Sequence, residues 1–108
     1  MNETREPVEV ISLAEFLAEE MIEREWTAVD VAARMGGRDT KQRSIDLLTV
    51  QLLLAVQEDN LVVSPTLYRQ LEHAFGVSDG FFESLDKPWH QYPDRRRPFT
   101  APEFLFNG

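Results

Sequence analysis

Between residues 38 and 44 the chain places Arg38, Thr40, Lys41, Gln42, Arg43 and Ser44, with Arg34 one helical turn upstream. Guanidinium and ammonium groups neutralise phosphates, and Gln, Ser and Thr side chains bond phosphate oxygens and base edges. These six residues form a candidate DNA-binding patch. Arg38 would sit on phosphate, and Thr40, Lys41, Gln42, Arg43 and Ser44 would read or position the duplex. A second basic run, Arg95, Arg96 and Arg97, is flanked by Trp89, Tyr92 and Phe99. Cations beside aromatic rings suit a minor-groove or partner-anchoring arm, although a solvated charge run is the preferred reading.

Other chemistry is poorly supplied. His73 and His90 are the only histidines, and neither stands at a metal-ligand spacing such as H-E-x-x-H. There is no cysteine, no glycine-rich phosphate loop and no nucleophile beside a histidine. An enzyme is therefore the least supported class, and no cofactor or metal is expected. Trp26 and Trp89 read as packing residues. Thr27, Ser64 and Ser78 read as helix N-caps rather than phosphate ligands.

The elements that position the patch are legible from caps and apolar stripes. Ser12 to Glu15 forms a capping box, and Ile11 and Phe16 can staple the entry. Helix 1 is predicted over residues 13–25, with Leu13, Phe16, Leu17 and Met21 inward and Glu15, Glu19, Glu23 and Arg24 in water. Thr27 opens helix 2, with Asp30 as its box partner and Trp26 stapling toward Val31, and Gly36 ends it. Helix 3 starts after Asp39, with Gln42 as cap partner, or after Ser44, and runs to about Gln57. It is apolar nearly all round, which places it in the core. Ser64-Pro65 opens helix 4, with Leu67, Leu71, Ala74 and Phe75 inward and Gly76 at its end. Ser78 opens a short helix 5 with Phe81, Phe82 and Leu85, stopped by Pro88. Only Leu61–Val63 hints at a strand.

From Asp86 the texture changes, with four prolines at 88, 93, 98 and 102 and six aromatic or aliphatic side chains. Such a segment is too apolar for a disordered tail, so it should wrap the domain or dock on a partner. Phe104, Leu105 and Phe106 are the candidate partner anchor.

The 108 residues suit one domain, divided as an arm (1–10), a helical domain (11–87) and a tail (88–108). The net charge is −8, and residues 1–25 hold 8 acids against 2 bases. A basic footprint therefore exists only locally, and the acidic end must face away from DNA. No apolar run reaches the roughly 18 residues of a membrane span. The start of the chain lacks a signal-peptide pattern, so a cytoplasmic location and no membrane contact are expected.

Val31-Ala32-Ala33-Arg34-Met35-Gly36 resembles the second helix and turn of the phage-repressor (Cro/CI, XRE) helix-turn-helix family. Residues 63–82, with Ser64-Pro65, the Leu71, Ala74, Phe75 and Gly76 run, Ser78 and the Phe81-Phe82 pair, are similar to the closing part of HigA-type antitoxins. Glu25-Trp26-Thr27 is similar to the E-R-G-W-S of the same group. The resemblance covers about residues 10–87. The turn departs from it, because Gly36 to Ile45 spans nine positions where the family has about six. The resemblance implies an all-α, five-helix, lambda-repressor-like domain with an extended Pro/aromatic tail. It implies a homodimeric, sequence-specific DNA-binding regulator of transcription, antitoxin-like or phage-derived, with an operator duplex and a toxin as partners. The alternative is a degenerate member that works through protein contacts without DNA binding.

Overall fold

The computed structural model describes residues 9–55 and 63–107. Five α-helices follow one another: α1 (Leu13–Arg24), α2 (Ala28–Arg34), α3 (Thr40–Ala55), α4 (Pro65–Phe75) and α5 (Phe81–Gln91). Two short 3-10 turns, Pro93–Arg95 and Glu103–Leu105, interrupt the tail. The domain is all-α, and the described residues contain no strand beyond one isolated bridge between Val10 and Arg96. The expected end of helix 3 near Gln57, all but the last residue of the Leu61–Val63 hint of a strand and most of the N-terminal arm lie outside the described residues.

The caps explain most of the boundaries. Ser12 Oγ accepts the amide of Glu15 at 3.0 Å, and Ser64 Oγ accepts that of Leu67 at 3.1 Å. Asp30 accepts the amide of Thr27 at 2.8 Å, which fixes the start of α2. Gly76 closes α4 with φ 72°, in the left-handed region that glycine adopts without a Cβ penalty. At the end of α1 the same conformation falls on Glu25, with φ 59°. This is the position where the resembled E-R-G-W-S pattern has its glycine. Trp26 then turns back, its amide donating to the carbonyl of Met21 at 2.8 Å.

One core joins all five helices and the tail. Leu17, Met21, Val31, Val50, Leu54, Leu71, Phe82 and Leu105 are fully or almost fully buried within it. Phe82 packs edge-on against Phe16, Phe75 and Phe81 at centroid distances of 5.4 to 5.7 Å. Trp26 packs against the core and on Phe75, with the Arg24 and Arg34 guanidinium groups over its ring.

Four expectations are corrected. Pro88 does not stop α5, which runs on to Gln91. Phe82, Asp86 and Trp89 form its buried line, and Trp89 reaches the interior only if the helix continues. Ser84, whose carbonyl loses its donor to Pro88, lies on an exposed face where water can bond it. Ser78 does not cap α5. Gly80 is its N-cap, and the buried carboxylate of Glu72 accepts the amide of Phe82 at 3.0 Å. Arg69 completes that site at 2.7 Å. Burial pushes the Glu72 carboxyl up, but the Phe82 amide, Arg69 and the Gly80 amide outweigh it and hold it below the ordinary range. Glu15 does not face water or reach back to its cap; it is buried and paired with Arg97.

The fourth correction concerns helix 3. Only one side of α3 is core, through Asp46, Val50, Leu53 and Leu54. Its other side leaves Ile45 46%, Leu48 62% and Leu52 56% exposed. Elements packing on α3 cover one face of a helix that the sequence makes apolar on two.

The tail wraps the domain, the first of the two roles its composition allowed. Val10 and the Arg95–Arg97 stretch exchange backbone bonds of 2.9 and 3.1 Å. Arg97 pairs with Glu15, Arg96 Nε donates to the carbonyl of Trp89 at 2.8 Å, and Arg95 lies over Tyr92. The three arginines are thus tied into the fold rather than forming a free charged arm. Gln51 Nε2 donates to the Phe106 carbonyl at 2.7 Å and holds the tail on α3.

Candidate nucleic-acid interface

The patch forms where α2 gives way to α3. Gly36, at φ 90°, turns the chain out of α2, and Asp39 starts α3. Asp39 Oδ1 accepts the amide of Gln42 at 2.8 Å, and its carbonyl accepts that of Arg43 at 3.0 Å. Of the two starts that the sequence allowed, the structure takes the one after Asp39. The cap partner differs: the Gln42 side chain turns inward and donates to Asp46 Oδ1 at 2.9 Å.

Asp46 is the buried floor of this corner. Its Oδ2 has no hydrogen-bond partner among the described residues and lies directly under Gly37. A Cβ on Gly37 would approach that oxygen to 2.9 Å and the Arg43 amide to 3.3 Å. Glycine at 37 is therefore what lets the turn close on α3.

Of the six patch residues, Arg38, Thr40, Lys41, Arg43 and Ser44 are exposed, and Gln42 is half-buried and held by Asp46. The structure brings all six to one corner, but only five present free side chains to solvent. Arg38, Lys41 and Arg43 form no ion pair among the described residues. Every other described arginine is engaged. Arg24 bonds Glu20, Arg34 covers Trp26, Arg69 bonds Glu72 and Glu83, and Arg95, Arg96 and Arg97 hold the tail. Three cations against the exposed carboxylate of Asp39 and the buried one of Asp46 leave this corner positive on a chain of net charge −8. It also sits at the N-terminus of a 16-residue helix, where the peptide dipoles add positive potential. A shallow cleft between α2 and α3, lined by Val29, Ala33, Thr40, Arg43, Ser44 and Leu47, runs beside the cations.

The proposed partner anchor does not survive as a unit. Leu105 is fully buried in the core and Phe106 is half-buried against it, while Phe104 alone is 62% exposed. A 3-10 turn sends three consecutive side chains in three directions, so Leu105 plugs the interior while Phe104 faces out.

A polar cluster outside the patch, with Tyr68 and Asp86 buried and His90 exposed, escaped the sequence reading. The Tyr68 hydroxyl donates to Asp86 Oδ2 at 2.6 Å, and His90 Nε2 lies 3.2 Å from the same oxygen. Burial first, then Asp86, pushes the Tyr68 hydroxyl up, so it stays a donor and ties α4 to α5. The i, i+4 spacing of Asp86 and His90 was a readable signal, but the expectation that Pro88 ends the helix hid it. Among the described residues no group of His, Asp and Glu side chains could hold a metal ion, and no helix is long and apolar enough to cross a membrane. No protein-family model matches the chain, and no curated protein or solved structure matches it.

Proposed function

We propose that this protein is a DNA-binding regulator of transcription that contacts the duplex through the N-terminal end of α3. One observation carries the reading. Among eight described arginines, six are engaged by carboxylates, carbonyls or rings, and the two left free stand with Lys41 at the turn between α2 and α3. Arg38, Lys41 and Arg43 contact phosphates, and Thr40 and Ser44 reach base edges or sugar–phosphate oxygens. Gln42 positions the turn through Asp46. The acidic α1, with Glu19 and Glu23 exposed, faces away from the polyanion. The resemblance to antitoxin-like regulators makes a duplex from the gene's own promoter the first ligand to test.

The test is a mobility-shift titration across salt concentration, with Lys41→Ala/Arg43→Ala beside the wild type. Three phosphate contacts per copy give a slope of log affinity on log salt of about −2.7, and the double variant retains about −0.9. No shift at low salt, or a slope that the double variant leaves unchanged, overturns the reading. A second reading, action through protein contacts alone, is favoured by the exposure of Ile45, Leu48 and Leu52. Those side chains bar α3 from reading bases beyond its first turn.

A further inference from the structure

We infer that a second copy of this chain covers the exposed face of α3, with the two α3 helices antiparallel. Lys41, Ile45, Leu48 and Leu52 recur at spacings of four, three and four, which puts them on one line of the helix. Phe106 borders the same face beside Leu48 and Leu52. Together the apolar members leave on the order of 400 Å² uncovered, the size at which a patch on a soluble protein marks an interaction site. Two such faces pressed together, with an ordinary polar rim, clear the roughly 1,000 Å² in total that a specific interface needs.

Charge selects the occupant. On a chain of net charge −8, two copies repel at most approaches. The exposed side of α3 is an exception, because Asp46, its only acid, is buried. The face is also bipolar. Lys41 stands at its N-terminal end, and Glu103, one 3-10 turn from Phe106, is exposed at the tail side. An antiparallel copy sets the two α3 dipoles in opposition and leaves the basic ends at opposite, outer ends of the pair. Such a contact is isologous, each copy giving the same patch, which closes a dimer and stops there.

The pairing also completes the proposed DNA site, and in that respect it rests on the reading above. With the two-fold axis between Leu48 and Leu52, each Thr40 lies ten residues, about 15 Å, from the axis. The two Thr40 positions are then about 30 Å apart, and Arg38 lies further out in each copy. Successive half-sites on one face of a duplex are about 34 Å apart. The apolar half of α3 thus sets the separation, and the basic ends make the contacts.

The experiment is the mass of the full chain in solution between about 1 and 200 μM, for wild type, Leu48→Glu and Leu52→Glu. Both leucines are more than half exposed, so the variants keep the helical content and melting behaviour of a dilute wild-type sample. The expected result is two chains of 12.5 kDa per particle for wild type and one for each variant. A wild type that stays single at 200 μM overturns the inference and leaves the face to another protein. So does a variant that remains paired. The chain has no cysteine, which allows a check of direction. With a short bifunctional maleimide, Leu52→Cys cross-links to its counterpart and Thr40→Cys does not; a Thr40→Cys that also cross-links overturns the antiparallel arrangement. A dimer that never shifts DNA sinks the DNA reading alone, whereas a single chain that shifts DNA sinks the pairing alone.

Discussion

Leu105 and Phe104 are neighbours in sequence and opposites in consequence. Leu105 is fully buried, in the 3-10 turn that packs on α1, whereas Phe104 is 62% exposed. Leu105→Ala removes a buried side chain from a tail that the Gln51 side chain and backbone bonds of Val10 hold in place, which limits collapse of the cavity. Buried leucine-to-alanine changes cost about 2–5 kcal/mol, and a value near 3 kcal/mol suits a site on the edge of the core. That is a large part of the roughly 5–15 kcal/mol that holds a domain of this size together. At about 4–8 °C per kcal/mol it lowers the melting temperature by on the order of 12–24 °C. Phe104→Ala removes more atoms from a surface site and changes stability by less than about 0.5 kcal/mol. Thermal unfolding followed by far-ultraviolet circular dichroism measures both. If Leu105→Ala melts within a few degrees of wild type, the tail is not part of the core. If Phe104→Ala loses as much as Leu105→Ala, the assignment of the two side chains is wrong.

Other substitutions probe the remaining joints. Gly37→Ala pushes a methyl group against Asp46 and the Arg43 amide and costs about 1–3 kcal/mol, read as a lower denaturation midpoint. Glu25→Gly relieves a left-handed residue that carries a Cβ, and the protein gains up to about 1 kcal/mol on the same scale. For Glu72, the folded carboxyl titrates below its unfolded value, so its contribution is present above the ordinary glutamate range and fades as pH falls through the lowered value. The gap in melting temperature between wild type and Glu72→Gln therefore narrows from pH 7 toward pH 3; a gap that widens contradicts the assignment. Arg97→Ala leaves Glu15 buried without its cation and frees the tail, so limited proteolysis cuts residues 96–107 faster than in wild type.

Five helices and most of their starts could be read from the chain because Ser12, Thr27, Ser64 and Gly76 act locally, within a single turn. The misread features depend on distant partners. Nothing near Glu15 says that Arg97, 82 positions away, will neutralise it. Glu72 caps a helix that begins nine residues later, so Ser78, the nearer hydroxyl, looked like the cap. Pro88 ended a helix by local rules, but burial of Trp89 outweighed one lost hydrogen bond. For the candidate site, residue types located the basic corner between α2 and α3. They did not distinguish Gln42, turned onto Asp46, from Lys41, which points to solvent. An apolar helix reads as core whether its second face meets this chain or another, and Leu48 and Leu52 fall on that second face.

The two tryptophans occupy separate joints. Trp26 lies among Arg24, Arg34 and Phe75 where α1, α2 and α4 meet, and Trp89 lies beneath Arg96 where the tail begins its return. Each indole is quenched or shifted by a different set of neighbours, so the intrinsic emission of Trp26→Phe reports the tail and that of Trp89→Phe reports the helical body. Release of the last residues from the body, as a step before global melting, then becomes visible as a change in one colour signal without the other.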